Sequence, residues 1–569
     1  MSGQTHKTIN IKDRPTARES NASSPSSSSV LAATAQGAKY LIFLQFFSRI
    51  LTFGMNQLVL RYTSPEVFGF ATVQLELLMI TILFLSREGF RNALQRAGGS
   101  LAKPAKSGSG QVQDGTPEGD VQRVINLAYL PLPLGSSLAF LAACLYPRPS
   151  GVAPPYFTLS VSLYCISTVI ELLSEPCFAL AQYRTQFSIR AKSEAAAVLG
   201  RCLATLGVTL MATKLNHPVG ALPFAVGQLT YAVLLLTTYL LSTSLPPSAL
   251  LLRSISRPGG GYFFYRPALN LAATMTAQGV FKHVLTEGDR MLIAWLSTEY
   301  DQGVYALAVN YGSLFARILF QPIEESSRNL FGHLLGISKT TDDDDKKKET
   351  GAVAARDQAK SMLLTTLRLY SLLSVLLLSL GSSYAPIALR LLIGRRWSSS
   401  SSSAGDVLAA YCYYLPLMST NGIFEAFVAS TATPGQLRTH SMWMVLFSAL
   451  FVGSGWVFMR TLDMGAEGLV WANCVNLFAR IIWAFRYINI YFSKDGVDWR
   501  EGVPSKGLLT AGVVVAAMAR ESARRWVCGE FGDLKHLGVG VVLGVGSLVC
   551  MVVYERGFLR QVGSTIRRR

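Results

Sequence analysis

The sequence predicts an all-α, polytopic membrane protein of about fourteen transmembrane helices, built as two pseudo-repeat six-helix lobes plus two C-terminal helices. Three observations carry that expectation. The 569 residues are 50% hydrophobic and only 15% charged, with a mean hydropathy of +0.33, whereas soluble chains carry about a quarter charged residues. The charge is also segregated, because long apolar stretches such as Leu363–Leu380 and Trp443–Phe458 alternate with short polar joints. Finally, the cluster Glu88-Gly89-Phe90-Arg91-Asn92 ends one apolar run and returns as Glu325-Ser326-Ser327-Arg328-Asn329 at the end of another. Both copies read E-x-x-R-N, and Gly69-Phe70-Ala71 is echoed upstream by Gly303-Val304-Tyr305-Ala306. A separation near half the chain points to duplication of a multi-helix unit, not to a solenoid of short repeats.

A bilayer core ~30 Å thick needs ~20 apolar residues per helix. On that scale the spans fall near 38–60, 66–86, 124–147, 157–182, 194–213, 219–242, 268–296, 303–334, 362–385, 404–432, 439–460, 466–491, 507–527 and 536–555. The first six form an N-terminal lobe, 38–242, with a linker at 97–122. The joint 243–267, with Pro246-Pro247 and Gly259-Gly260-Gly261, is the boundary between duplicated halves. Spans seven to twelve form the second lobe, 268–491, with its own linker at 337–358. Two additional helices, 507–556, lie outside the repeat, between a Ser-rich tail at 1–37 and a basic tail at 557–569. Segments 1–30, 97–122 and 337–358 are expected to be disordered, since runs such as Asp342–Lys348 are too polar to bury. Ser398–Ser403 reads as a loop. In the last span, Gly540-x-x-x-Gly544 lets another helix approach closely, and packing within the molecule is its expected use.

A net charge of +18 would suggest nucleic acid in a soluble protein. Here topology explains it. With both termini cytosolic, the basic segments 1–39, 87–123, 184–192, 253–266, 328–360 and 486–506, with Arg567-Arg568-Arg569, all fall on the cytosolic side. Arg520–Lys535 is the discordant segment and leaves the orientation of the last hairpin open. No cleavable signal peptide is expected, because residues 1–29 are polar, so the sequon Asn21-Ala22-Ser23 would stay unglycosylated in the cytosol. The eight cysteines include no C-x-x-C pair and read as small buried hydrophobes.

No cofactor, metal or catalytic residue is predicted. A phosphate-binding loop, an H-E-x-x-H pair and a G-x-S-x-G elbow are all missing from the sequence. A formal D-x-D occurs at Asp342–Asp344, inside a Lys-flanked polar loop where no active site is expected. What remains is charge within or beside the spans: Arg49 and Arg61; Arg87, Glu88 and Arg91; Glu171, Glu175, Glu194 and Arg201; Lys282, Glu287, Asp289 and Arg290; Arg317, Glu324, Glu325 and Arg328; Glu425; and Arg480 beside Asn473 and Asn476. Arg49, Thr52 and Asn56 share one helical face. Charges inside a bilayer pair with one another, line a hydrated cavity or meet a ligand. Two readings stand side by side. The arginines at span ends snorkel and the deeper ones close interhelical ion pairs, or the excess of Arg over carboxylate forms an anion site, for which guanidinium forks suit phosphate.

The strings Leu58-Val59-Leu60-Arg61-Tyr62-Thr63-Ser64-Pro65, Leu83–Arg91, Ile170-Glu171-Leu172-Leu173-Ser174-Glu175-Pro176, Gln302-Gly303-Val304-Tyr305 and Phe320–Ser326 carry a resemblance. Together, over about 38–556, they resemble the Rft family of endoplasmic-reticulum oligosaccharide-translocation proteins. The departures are the N-terminal tail and the insertions at 97–122, 337–358 and 398–403, all in loops. The resemblance implies the multidrug/oligosaccharidyl-lipid/polysaccharide exporter superfamily, with its two lobes around a central cavity. It implies a role in N-glycosylation: carrying dolichol-pyrophosphate-linked Man5GlcNAc2 from the cytosolic to the lumenal leaflet of the endoplasmic reticulum membrane. On that reading the pyrophosphate contacts are Arg49, Arg61, Arg87, Arg91, Lys282, Arg290 and Arg480, while Glu88, Glu324, Glu325 and Arg328 orient the arginines or gate. The expected partners are this glycolipid and membrane lipid, with no nucleic acid, and the protein is expected to be a monomer. The rivals are a scaffold that binds the lipid-linked sugar without moving it and a polytopic glycosyltransferase.

Overall fold

The computed structural model describes residues 51–94, 116–146, 154–184, 186–243, 250–257, 260–336, 345–394, 397, 404–493, 496–526 and 530–567. The chain separates into two units, Met1–Phe53 and Gly54–Arg569. Of the first, residues 51–53 are described and helical. Everything below concerns the second.

That unit is helical almost throughout. In chain order, α1 covers 54–62, followed by α2 Pro65–Leu94, α3 Glu118–Leu145, α4 Phe157–Tyr183, α5 Ser188–Lys214 and α6 Leu222–Ser242. After a two-stranded hairpin come α7 Arg266–Leu296, α8 Glu299–Leu335, α9 Val353–Ile393, α10 Ala404–Thr431, α11 Gly435–Thr461 and α12 Gly465–Tyr491. The chain continues through α13 Trp499–Trp526 and α14 Gly532–Tyr554 to a short amphipathic helix, α15 Arg556–Arg567. Among the described residues, eleven of these helices are long and apolar enough to cross a membrane. Outward-facing side chains on α14, among them Val541, Val542, Val545, Val549 and Val552, are exposed, as a lipid-facing surface requires.

Helix starts follow local chemistry. Ser64 caps α2 by accepting from the Val67 N–H, with Pro65 in the first turn; Thr298 caps α8 by accepting from the Asp301 N–H. Thr433 and Gln436 form a reciprocal capping box on α11. The two caps at Ser64 and Thr298 are repeat-related, and each stands five residues before a glycine, Gly69 or Gly303. Those glycines meet. A Cβ on Gly69 would run into Gly303 N at 2.5 Å, and one on Gly303 would run into the Pro65 carbonyl carbon at 2.7 Å. The first turns of α2 and α8 therefore touch backbone to backbone, a contact only glycine permits. Gln74 Nε2 donates to Gln302 Oε1 at 2.9 Å beside it, and Trp397 Nε1 donates to the Leu60 carbonyl at 3.3 Å. This seam joins α1 and α2 to α8 and the end of α9.

Toward the other end, α2 runs against α7. Thr81 meets His283 Nε2 at 2.9 Å, the Phe84 and His283 rings lie 4.9 Å apart, and Gly89 sits directly on Thr276. Phe90, Ala93, Leu127, Ala268 and Ala272 complete an apolar cluster there. Both repeat copies follow a π-turn, Phe84–Glu88 in α2 and Ala316–Phe320 in α8. Such a turn inserts a residue and re-aims the side chains after it.

Several sequence expectations change. The inter-lobe joint is not a loose connector: Ile255–Arg257 pairs antiparallel with Gly260–Tyr262. Asn126 Nδ2 ties this hairpin to α3 by donating to the Arg253 and Phe263 carbonyls, each at 2.7 Å. The linkers at 97–122 and 337–358 shorten, because helix already runs from Pro117 and from Asp345; their remaining residues, the Asp342–Asp344 run and Ser398–Ser403 lie outside the described residues. Most of the basic tail is helical. Within the Gly540-x-x-x-Gly544 pair of α14, Gly540 packs against the Tyr384 ring, at 2.5 Å for an added Cβ, and Gly544 faces Leu380 at 3.9 Å, whereas Gly538 and Gly546 meet nothing within 4 Å.

Candidate functional site

The densest polar group lies where α2 and α4 end together. Arg87 and Arg91, spaced i,i+4, share one face of α2; Glu171 and Glu175, also i,i+4, share one face of α4. Pro176 has no N–H to give the Leu172 carbonyl, and the chain turns at Ser174, whose Oγ donates to the Glu171 carbonyl at 2.7 Å. That turn keeps both carboxylates facing α2. Arg87 Nη1 reaches Glu171 at 2.6 Å and Glu175 at 3.3 Å. Arg91 grips Glu175 with two donors, at 2.5 and 2.9 Å, and its guanidinium stands 3.8 Å from the centre of the Phe178 ring. Two cations and two carboxylates cancel, so the knot is neutral. Glu88 turns aside and accepts from Asn92 at 3.2 Å.

The second copy of the motif lives in a different environment. Glu325, Arg328 and Asn329 are exposed, while the Glu324 carboxylate is pressed against Gly422 of α10. Ser430 donates to the Arg328 carbonyl at 2.9 Å.

Inside the second lobe, Arg480 of α12 pairs with Glu425 of α10, its Nε donating at 3.0 Å. Arg480 also lines a cavity of about 430 Å³ with Asp289, Tyr414, Asn473 and Asn476. Asp289 accepts from the Tyr305 hydroxyl at 3.3 Å, and that hydroxyl accepts from Asn473 at 3.4 Å. Arg290 turns from the cavity to Glu287 on its own helix, at 3.2 Å. Lys282 is exposed on α7.

Arg61 is also exposed and donates to the Leu392 carbonyl at 3.3 Å, capping the C-terminal end of α9. It belongs to the seam end. Twenty-six positions of α1 and α2 separate it from Arg87, so at 1.5 Å per residue the two lie roughly 30 Å or more apart along the helices. Arg49 lies outside the described residues. The six cations among the described residues thus fall into separate groups: Arg87 with Arg91, Arg480 beside Asp289, Lys282 with Arg290 on α7, and Arg61 at the opposite end.

Sequence reading passed over four contacts that the fold creates. Glu76 and Arg201 pair at 2.5 Å between α2 and α5, 125 positions apart in the chain. Gln74–Gln302, Thr81–His283 and Gln57–Tyr311 cross between lobes. Glu76 was detectable as the carboxylate inside the 66–86 run, whose other one, Glu66, stands at its first position, since intramembrane charges are rare and mark partners. The amides carried no such signal.

A family model described as Rft protein matches residues 33–565. A relative from Yarrowia lipolytica named "Man(5)GlcNAc(2)-PP-dolichol translocation protein RFT1" is 34% identical, covering 95% of this chain and 82% of the relative. Relatives of the same name from Saccharomyces cerevisiae and Mus musculus are 31% and 30% identical, covering 94% and 91% of this chain and 96% and 94% of their own. Among solved structures, the lipid II flippase MurJ in an inward closed conformation aligns with a TM-score of 0.56 over 91% of this chain and 99% of its own, at 13% identity. An inward-facing transporter of the multidrug resistance MATE family aligns at 0.50 over 78% and 96%, also at 13% identity. These structures share the fold.

Proposed function

The chain belongs to the Rft protein family, and from that premise we propose that it moves dolichol-pyrophosphate-linked Man5GlcNAc2 from the cytosolic to the lumenal leaflet of the endoplasmic reticulum membrane, as a translocation protein of N-glycosylation and not a sugar-transferring enzyme. The observation that carries this reading is the asymmetric union of the two lobes. Repeat-related glycines, Gly69 and Gly303, seal one end, while the main ion-paired knot lies at the far end of α2.

On a fourteen-span reading both termini lie in the cytosol and the glycine seam faces the lumen; the eleven helices long and apolar enough to cross a membrane support a polytopic arrangement. Translocation then requires the lobes to part in turn at the α2–α7 contact, which admits the headgroup, and at the seam, which releases it, a rocking exchange between two packings. The dolichol tail stays in lipid. The pyrophosphate and sugars pass between the lobes, with the protein acting as a monomer.

Arg87 and Arg91 are the first cations such a headgroup meets. Their pairing with Glu171 and Glu175 makes the empty state neutral, which lowers the cost of holding guanidinia there, and the pyrophosphate competes with those carboxylates for the same donors. Arg49, Lys282, Arg290 and Arg480 extend the cationic series, and Arg61 belongs to the exit end. Glu88, Glu324, Glu325 and Arg328 orient or gate.

The test is replacement. Yeast cells depleted of their own relative and supplied with this chain should clear the heptasaccharide lipid and regain full glycan occupancy on secreted glycoproteins. Persistent accumulation of that lipid, with the protein present and correctly located, would overturn the assignment.

A further inference from the structure

The positive-inside pattern leaves one segment unexplained, Arg520–Lys535, and the fold shows where its first cations go. At the seam end, where α9 and α13 finish and α10 and α12 begin, a cavity of about 810 Å³ opens. Arg520 and Arg524, i,i+4 on α13, line it together with Arg390 of α9, Tyr413 of α10 and Trp471 of α12. Arg520 and Arg524 are exposed, and with Arg390 they line one concavity that also carries the carboxylates Asp406 and Glu467, so it offers cationic donors for a phosphate and acceptors for hydroxyls side by side.

The donors are only partly used. Arg520 donates to the Tyr413 hydroxyl at 3.1 Å, which leaves that hydroxyl's own proton for another acceptor. Arg390 has Asp533 at 3.7 Å, beyond hydrogen-bond reach. Trp471 spends its N–H on Glu467 at 3.0 Å, so its indole offers a flat face, with the Tyr413 ring 5.7 Å away. Guanidinium forks recognise phosphate. An aromatic face next to a carboxylate suits a polyol, whose C–H groups stack while its hydroxyls donate.

We infer that this cavity seats a lipid headgroup in which a phosphate carries a sugar or other polyol, approached from the leaflet at the seam end. The seat lies apart from the Arg87–Arg91 knot and stands beside the proposed translocation without resting on it. A pyrophosphate-linked glycolipid and an inositol phospholipid both present this chemistry.

Full-length protein in nanodiscs, with bound lipid counted by native mass spectrometry, tests the assignment with three probes: a short-isoprenoid pyrophosphate-linked chitobiose, phosphatidylinositol and phosphatidylcholine. Retention of either phosphopolyol lipid above phosphatidylcholine, weakened about tenfold or more by Arg520→Gln/Arg524→Gln and unchanged by Arg525→Gln, supports it. The preferred probe identifies the source. A second measurement needs no variant: inorganic pyrophosphate should slow modification of Arg520 and Arg524 by phenylglyoxal. If the double variant retains both lipids like the parent, if neither lipid exceeds phosphatidylcholine, or if pyrophosphate gives no protection, the seat does not exist. Leaflet exchange of the same protein in sealed vesicles reads separately, so its absence with lipid retention intact counts against translocation and not against this cavity.

Discussion

Glu175→Gln separates an arginine held permanently by its partner from one that can be handed to an anion. Only 3% of the Glu175 side chain is exposed, and it accepts from Arg87 at 3.3 Å and Arg91 at 2.5 Å. The substitution keeps the shape, removes the charge and leaves two guanidinia facing the single Glu171 carboxylate. Breaking a fully buried pair costs ~3–5 kcal/mol. Arg87 and Arg91 retain 19% and 22% exposure, and Gln still accepts a hydrogen bond, so ~1–3 kcal/mol is the expected loss. Thermal unfolding in nanodiscs should fall by a few degrees, and Arg91→Gln added to Glu175→Gln should restore part of it. Headgroup binding should move the other way. With the competing carboxylate gone, at least one charge-assisted hydrogen bond to phosphate is no longer opposed, and affinity for a pyrophosphate-linked lipid should rise about tenfold, while leaflet exchange slows because release is harder. A stability loss with affinity unchanged within twofold would refute the argument and make the knot a structural fixture.

Three further outcomes follow from named contacts. Gly303→Ala puts a Cβ into the Pro65 backbone and should cost ~1–3 kcal/mol, whereas Gly207→Ala, with nothing within 4 Å of its added Cβ, should gain up to ~1 kcal/mol; melting curves of the two should shift in opposite directions. Glu425→Gln and Arg480→Gln should be non-additive by ~0.5–3 kcal/mol in a double-mutant cycle, because the two groups pair directly; strict additivity would deny the pair. Burial pushes the Glu555 carboxyl up, but the Ser505 N–H and Arg368 outweigh it and hold it below its ordinary 4.5. A depressed folded value gives stability that is full above the unfolded value and lost as pH falls through the folded one. Acid melts should therefore show the gap between parent and Glu555→Gln closing below about pH 4.5, and a gap independent of pH would remove the carboxylate from the account.

What was legible in the sequence was what a helix shows by itself. Apolar length located the helices, while the caps Ser64-Pro65 and Thr298-Glu299, though local, were passed over, so α8 begins at Glu299 where the apolar run was taken from 303. The repeated motif was visible because both copies keep E-x-x-R-N. Its meaning changed with the fold, since one copy is packed against α4, 84 positions further along the chain, and the other is largely exposed. Glu171 and Glu175 were noted as carboxylates, but their pairing with Arg87 and Arg91 depends on the turn at Ser174–Pro176 and on which face of α4 meets α2. Glu76–Arg201 and the glycine seam depend wholly on tertiary approach. The hairpin at Ile255–Tyr262 was hidden because three-residue strands carry too little alternation to detect.

The central claim is movement of a glycolipid between leaflets, and one measurement addresses it most directly. Purified protein is placed in sealed vesicles with the authentic dolichol-pyrophosphate heptasaccharide, and the fraction reachable from outside is followed over time. The account predicts exchange well above protein-free vesicles, halted when Gln74→Cys and Gln302→Cys are bridged by a short thiol crosslinker across the seam and resumed on cleavage of the bridge. Binding of the glycolipid with no acceleration of exchange would contradict it and leave a carrier that holds the lipid without moving it.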